Sequence, residues 1–357
     1  MVQGVNAGVR SGTRVPDFFI VGHSKCGTTA LYEMLRGHPQ LHMPAKEPRY
    51  FALKETDLEL GAAGAGSGSG AAPTGSGSGA AVAAAGAEGA NGAQAARPRK
   101  LEAYLALFAG ARADQLIGEA TPSYLRSPVA AARIAAVNPD ARIIALLREP
   151  TSFLRSYHLQ SLRTYNETQR DFRKALELEP ERRQGRSVPR SSQRPEDLLY
   201  SDHVRYTEQL RRYHERFGRE QVLVLIYEDF RADNEGTLRA VQRFLGVDDG
   251  LPVRTVRTKP SREIQFAGLH QLVRMRRIAK RNSAGAAALS GAVAKLTPPA
   301  LRGSLKGAWR RHGYGEPPAP DERYLLELRR RFKPEVVALS EYLGRDLVER
   351  WGYDRLA

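Results

Sequence analysis

Cysteine is almost missing from this chain: its 357 residues include one, Cys26. A single thiol excludes an internal disulfide framework and a cysteine-rich zinc site, and it suits a reducing compartment. Long apolar runs are missing too. No stretch approaches the ~20 residues that cross a bilayer, and no apolar N-terminal segment of the secretory kind is present. The expected location is cytoplasmic or peripheral to a membrane surface, with no transmembrane segment. Acidic residues are scarce beside basic ones, 39 Asp and Glu against 55 Lys and Arg, for a net charge of +16. That surplus favours anionic partners, whether nucleotides, acidic glycans, nucleic acid or lipid headgroups. The stretch 254–281 holds one acid, Glu263, among many Lys and Arg, yet it carries no recognisable nucleic-acid-binding motif. No specific nucleic-acid partner is expected.

Bulky side chains run out between Gly61 and Ala96, where Gly, Ala and Ser dominate. Such a segment cannot bury enough apolar area to offset its ordering entropy. The expectation is one domain, 15–357, preceded by a flexible tail at 1–14 and interrupted by a disordered insert at about 57–99. Strands resume in the same style after the insert, which places it within a domain and not between two.

The stretch that organises the chain is Asp17 to Pro39. Phe18-Phe19-Ile20-Val21 is a short apolar, β-prone run. A polar loop follows, Gly22-His23-Ser24-Lys25-Cys26-Gly27, and Thr28-Thr29 then opens a helix with Leu31, Met34 and Leu35 at helical spacing. Strand, glycine-bounded loop and helix together aim backbone N–H groups and the positive end of a helix dipole at an anion. A triphosphatase loop would continue with Gly-Lys-Ser/Thr to hold magnesium. Gly22 and Gly27 have its spacing, but Thr28 stands where that Lys belongs, and the only cation is Lys25 inside the loop.

Strands and helices alternate beyond the insert. An amphipathic helix is expected over 101–108, a strand over 115–119 leading into the turn Glu119–Tyr124, and a helix over 128–138. The run 141–147 reads as a buried parallel strand delivering Arg148-Glu149-Pro150, followed by a helix with Ser156 and Tyr157. A mobile surface loop is expected at 180–196, one helix over 198–217, a strand over 221–226 and a helix over 237–245. Two helical patterns fill 321–351, with Pro334 placed to start the second. The alternation implies an α/β fold with a mostly parallel sheet covered on both faces. Ligands bind such sheets at the carboxyl ends of the strands, where loop 22–29, the Glu119–Tyr124 turn and Arg148 would meet.

Lys25-Cys26-Gly27-Thr28-Thr29-Ala30-Leu31, with His38-Pro39 at the helix end, resembles the 5′-phosphosulfate loop of sulfotransferases, especially the heparan-sulfate and glycan branch and its bacterial relatives. The resemblance implies a P-loop-like three-layer fold. It implies transfer of sulfonate from 3′-phosphoadenosine 5′-phosphosulfate (PAPS) to an acceptor hydroxyl on a sugar, lipid or small molecule, with no metal. Ser24, Lys25, Cys26, Gly27, Thr28 and Thr29 would hold the 5′ end of the donor, and Lys25 would stabilise the leaving phosphate. Arg148 and Ser156, eight residues apart, match the pair that grips the 3′-phosphate. Thr258-Lys259-Pro260-Ser261-Arg262 is similar to a late cofactor loop, with Pro260 where Gly is usual, and implies donor contacts from Lys259 and Arg262. Glu47, in Lys46-Glu47-Pro48-Arg49-Tyr50-Phe51, matches the catalytic base ahead of an aromatic pair. The plain alternative for Glu47 is a surface ion pair with Lys46 or Arg49. His158 is the second choice as base, and His23 lies in the loop. Ala120 departs from the pattern, which has Lys there, and tilts the acceptor toward a neutral sugar, lipid or alcohol. Competing functions are a P-loop kinase, disfavoured by Thr28, and a basic polyanion-binding protein led by 254–281.

Overall fold

A computed structural model describes residues 14–44, 46–53, 98–192, 194–252 and 321–356, with the backbone of two short strands at 263–264 and 314–315. Nearly all of the tail at 1–14 and of the insert at 57–99 lies outside the described residues, as do Lys259, Arg262 and most of the basic stretch.

Five parallel strands form the central sheet: β1 (Phe18–Gly22), β2 (Leu41–His42), β3 (Leu116–Ala120), β4 (Arg142–Leu147) and β5 (Val222–Ile226), in the spatial order β2-β3-β1-β4-β5. The expected α/β class, a parallel sheet flanked by helices, is what the chain adopts. Every residue of β1 is buried, and β4 is buried from Ile143 onward. That is why both read as unbroken apolar runs, since a parallel strand covered on both faces has no polar side to show. The order puts β1 in the centre with β3 and β4 as its neighbours. The chain moves to one side of β1 to build β2 and β3, then to the other for β4 and β5. The carboxyl ends of β1 and β4, where the order reverses, are the place at which open parallel sheets take their ligands.

The helices in order are α1 (Thr28–Leu35), α2 (Leu101–Leu105), α3 (Ala130–Val137), α4 (Pro150–Thr164), α5 (Phe172–Glu177), α6 (Glu179–Arg183), α7 (Tyr200–His203), α8 (Tyr206–His214), α9 (Tyr227–Ala232) and α10 (Asn234–Leu245). Helices 322–343 and 347–350 follow. The N-cap of α4 is Glu149, whose carboxylate accepts from the backbone N–H of Thr151 (3.1 Å) and Ser152 (2.7 Å). This fixes the helix directly behind Arg148.

Three expectations fail, in whole or in part, for identifiable reasons. Residues 180–196 are a surface loop only in part: α6 runs to Arg183, and 184–192 is irregular and mostly exposed but tied down at both ends. Arg182 on α6 is 4% exposed and paired through both guanidinium nitrogens with Glu167, at 2.8 and 3.0 Å. Ser191 and Ser192 then bond back to Tyr165 and Asn166. Polar composition was misleading because the charges satisfy one another indoors. The helix expected over 198–217 is divided into a 3-10 turn at 195–198, α7 and α8. At the break the Gln209 amide donates to the carbonyls of Asp202 (2.9 Å) and His203 (3.2 Å), so the interruption leaves fewer unsatisfied acceptors. Pro334, finally, lies inside one continuous helix, 322–343. Tyr324, Leu328, Phe332, Val336 and Leu339 make a buried stripe running past it on both sides, and that packing outweighs the hydrogen bond Pro334 cannot donate.

Candidate functional site

The loop between β1 and α1 depends on two glycines. Gly22 has φ 136°, and a Cβ there would lie 2.4 Å from the Leu146 carbonyl oxygen of the neighbouring strand. Gly27, at φ 90°, caps α1 so close to Tyr227 and Phe230 that a Cβ would come within 3.2 Å of both rings. The first turn of α1 contains no acidic residue and receives no side-chain cap, the condition under which a helix N-terminus can take an anion. Thr28 is buried, Thr29 exposed and Ser24 half-buried. Cys26 is fully buried, and burial pushes its thiol pKa far up, which suits a small packing residue and not a nucleophile. His23 is also buried, its Nε2 2.8 Å from the Gln209 Oε1. Because the Gln209 NH₂ is committed to two carbonyls, its oxygen faces His23, and Nε2 must donate. Burial lowers the His23 pKa to about 3 despite that bond, so this ring stays neutral and serves the fold.

Three cations converge on the loop. The Arg148 NH1 donates to the Lys25 carbonyl at 3.1 Å, and its guanidinium lies 4.6 Å from the Tyr227 ring centroid. Its Nε is buried with no hydrogen-bond partner, a donor left over in a dry setting. Lys25 is half-buried, and its pKa is lowered first by burial and then by Arg163 and Arg148. Arg163 was not singled out from the sequence. It lies seven residues after Ser156 on α4, hence on the same helical face, and that spacing was the signal available. Ser156 is itself buried, in the second turn of α4.

Glu47 reaches the same end of the sheet by another route. Lys46 forms a parallel bridge with Ala120, and the Glu47 N–H donates to the Ala120 carbonyl at 2.9 Å, extending the edge beyond β3. The Lys46 Nζ donates to the Thr29 Oγ1 at 2.7 Å and lies 3.4 Å from the Glu47 Oε1, so it spans the gap between α1 and the carboxylate. Arg49 pairs with the other oxygen of Glu47. The ion pairs foreseen as the plain alternative exist, therefore, but they hold Glu47 beside the loop. Burial pushes the Glu47 pKa up, while Arg49 and Lys46 together outweigh it and hold the carboxyl below its ordinary value. Lys46 is the second residue whose part was missed.

His158 takes no place in this group. It is buried, with Nδ1 3.0 Å from the Tyr200 hydroxyl and Nε2 3.2 Å from the Arg170 carbonyl, beside the Glu167–Arg182 pair. Both nitrogens are occupied in structural contacts.

Residues 16–250 match the model of the Sulfotransferase family. Heparan sulfate glucosamine 3-O-sulfotransferase 3A1 of Mus musculus is 26% identical over 234 residues, which is 66% of this chain and 46% of that protein. Carbohydrate sulfotransferase 15 of Homo sapiens is 49% identical over 41 residues, 11% of this chain and 7% of its own length. The chain thus spans less than half the length of the curated relatives it matches. The crystal structure of a sulfotransferase from Alicyclobacillus acidocaldarius aligns with a TM-score of 0.58 at 26% identity, over 94% of this chain and 98% of that one.

Proposed function

The chain belongs to the sulfotransferase family, and from that membership we propose that it passes the sulfonate of PAPS to an acceptor hydroxyl. The observation that carries this reading is the convergence of Lys25, Arg148 and Glu47 at the carboxyl ends of β1, β4 and β3, joined through the Lys25 carbonyl, Lys46 and Ala120. An open helix N-terminus, a guanidinium with a spare buried donor and a surplus of positive charge suit a nucleotide with phosphates at two ends.

In the proposed step the S–O bond to the bridging oxygen of the 5′-phosphate breaks as a new S–O bond forms to the acceptor oxygen. The acceptor proton goes to the Glu47 carboxylate, and the bond electrons stay on the leaving bisphosphate. By analogy with phosphoryl transfer the reaction is in line and loose, so positioning and charge stabilisation dominate. Lys25 and the N–H groups of Gly27, Thr28 and Thr29 meet the charge that develops on the leaving phosphate, with Ser24 and Cys26 shaping the loop. Arg148 and Ser156 hold the 3′-phosphate. Lys259 and Arg262 complete the donor site in this reading. Both curated relatives are named for sugar substrates. With Ala120 in place of a cation, the acceptor proposed here is a neutral sugar, a lipid or a small alcohol.

Calorimetry with adenosine 3′,5′-bisphosphate, followed by transfer assays from labelled PAPS to a panel of those acceptors, tests the proposal. Wild type binds the bisphosphate and labels at least one acceptor. Lys25→Ala loses about 10²-fold or more in rate, the scale of removing one charge stabiliser. Glu47→Gln keeps bisphosphate affinity and loses turnover, and full activity in that variant removes Glu47 from the mechanism. Absence of any bisphosphate binding sinks the whole reading. Magnesium-dependent ATP binding in its place would point to a kinase, and salt-dependent polyanion binding to a polymer-binding protein.

A further inference from the structure

One buried ionisable group at the site has no part in the chemistry just described. Glu119, the penultimate residue of β3, is fully buried and has no cation among its partners. It is surrounded by hydroxyls. Thr121 Oγ1 donates to Oε1 at 2.5 Å, Tyr124 donates to Oε2 at 3.3 Å, and Tyr104 donates to the same Oε2.

A hydroxyl has one hydrogen and two lone pairs, whereas an ionised carboxylate, the form Glu119 takes above about pH 7, only accepts. Once Thr121 and Tyr124 have given their hydrogens to Glu119, they have only lone pairs to offer elsewhere. Those oxygens are what the segment after Glu47 uses: the Arg49 N–H donates to Thr121 Oγ1 at 3.4 Å and the Phe51 N–H to the Tyr124 hydroxyl at 3.2 Å. The segment needs such support. Glu47 and Arg49 both lie at φ 60°, in the left-handed region that non-glycine residues avoid, on either side of Pro48. Phe51 packs edge-on against Phe19, Tyr104 and Tyr124, and Tyr50 stacks on Tyr104 at 4.9 Å.

We propose that Glu119 is a positioning residue, which orients the Thr121 and Tyr124 hydroxyls as acceptors for the Arg49 and Phe51 amides and so fixes the left-handed segment that presents Glu47. Its catalytic consequence rests on the reading of Glu47 as base. Its structural half does not.

Glu119→Gln keeps the shape but sets an NH₂ against hydroxyls whose hydrogens point at that position, so a hydroxyl facing it must turn its hydrogen away. Thr121→Val removes the hydroxyl that donates to Glu119 and accepts from the Arg49 N–H, and Thr121→Ser returns it. Each variant is measured for adenosine 3′,5′-bisphosphate affinity, for kcat with an acceptor found by the panel, and for amide hydrogen exchange. In Glu119→Gln and Thr121→Val, exchange at 49–51 rises about ten-fold or more while that of Leu31–Leu35 in α1 stays unchanged. kcat falls by about 10- to 100-fold, the scale of a misplaced catalytic group, with bisphosphate affinity within about three-fold of wild type. Thr121→Ser recovers both readouts. Unchanged exchange at 49–51 overturns the proposal, and so does a loss of bisphosphate affinity in step with kcat, since that marks general unfolding of the site. If wild type transfers no sulfonate, the sulfotransfer reading falls and the exchange data alone decide whether Glu119 holds the segment.

Discussion

Lys46 illustrates how one ammonium group links two chemistries. It donates to Thr29 on the side where the donor phosphate would lie and pairs with Glu47 on the acceptor side. Glu47 works as a base only when ionised, and Arg49 and Lys46 hold its pKa below the ordinary carboxylate value. Rate should accordingly fall as pH drops through that lowered value. Lys46→Met removes one of the two cations, so the Glu47 pKa rises and the acid limb of the kcat/KM profile moves to higher pH. A limb that does not move would show that Lys46 does not act through Glu47. The residues proposed to meet donor and acceptor are legible in the sequence because each lies in a motif of fixed spacing: Lys25 between two glycines, Arg148 after an apolar strand, Glu47 before an aromatic pair. Lys46, Arg163 and Glu119 act across elements, and a linear motif does not record a contact such as Lys46 to Thr29.

At the level of elements, charge indoors separates what could be foreseen from what could not. Strands β1, β4 and β5 announced themselves by apolar runs. Segment 172–192 did not, because its order depends on the Arg182–Glu167 pair, whose side chains are 1% and 0% exposed, with the Tyr200 hydroxyl also donating to Glu167 at 3.1 Å. Taking away one member of a buried pair strands the other. Arg182→Met should destabilise the fold by about 3–5 kcal/mol. Replacing both partners by apolar residues of like volume should restore much of that loss. Chemical denaturation of the single and double variants checks the pair, and a single variant as stable as wild type would mean that the ion pair does not hold α6. Pro334 and the break before α8 teach the complementary lesson, since local propensity yields wherever a buried stripe or a well-aimed amide offers more.

The molecule as a whole carries the cost of its buried carboxyl. Burial raises the Glu119 pKa to about 7 from a model-peptide value of 4.5, against the pull of its three hydroxyl donors. A carboxyl with a raised folded pKa keeps its proton in the native state after the unfolded chain has lost it. Stability from this group is therefore greatest below pH ~4.5 and declines as pH rises to ~7, by up to about 3 kcal/mol. Thermal melts of wild type and Glu119→Gln across that range should diverge steadily, and parallel curves would show that Glu119 ionises freely. The Tyr50–Tyr104 stack has a wider consequence. Tyr50 precedes the low-complexity insert and Tyr104 follows it, so the stack works like a clasp that closes the domain independently of whatever runs between. The entropy of closing a chain segment grows only with the logarithm of its length, about 0.6 kcal/mol per doubling. The clasp makes this junction the place to exchange sequence: a short linker, a reporter or a targeting module put in place of the segment should leave the melting temperature of the scaffold nearly unchanged.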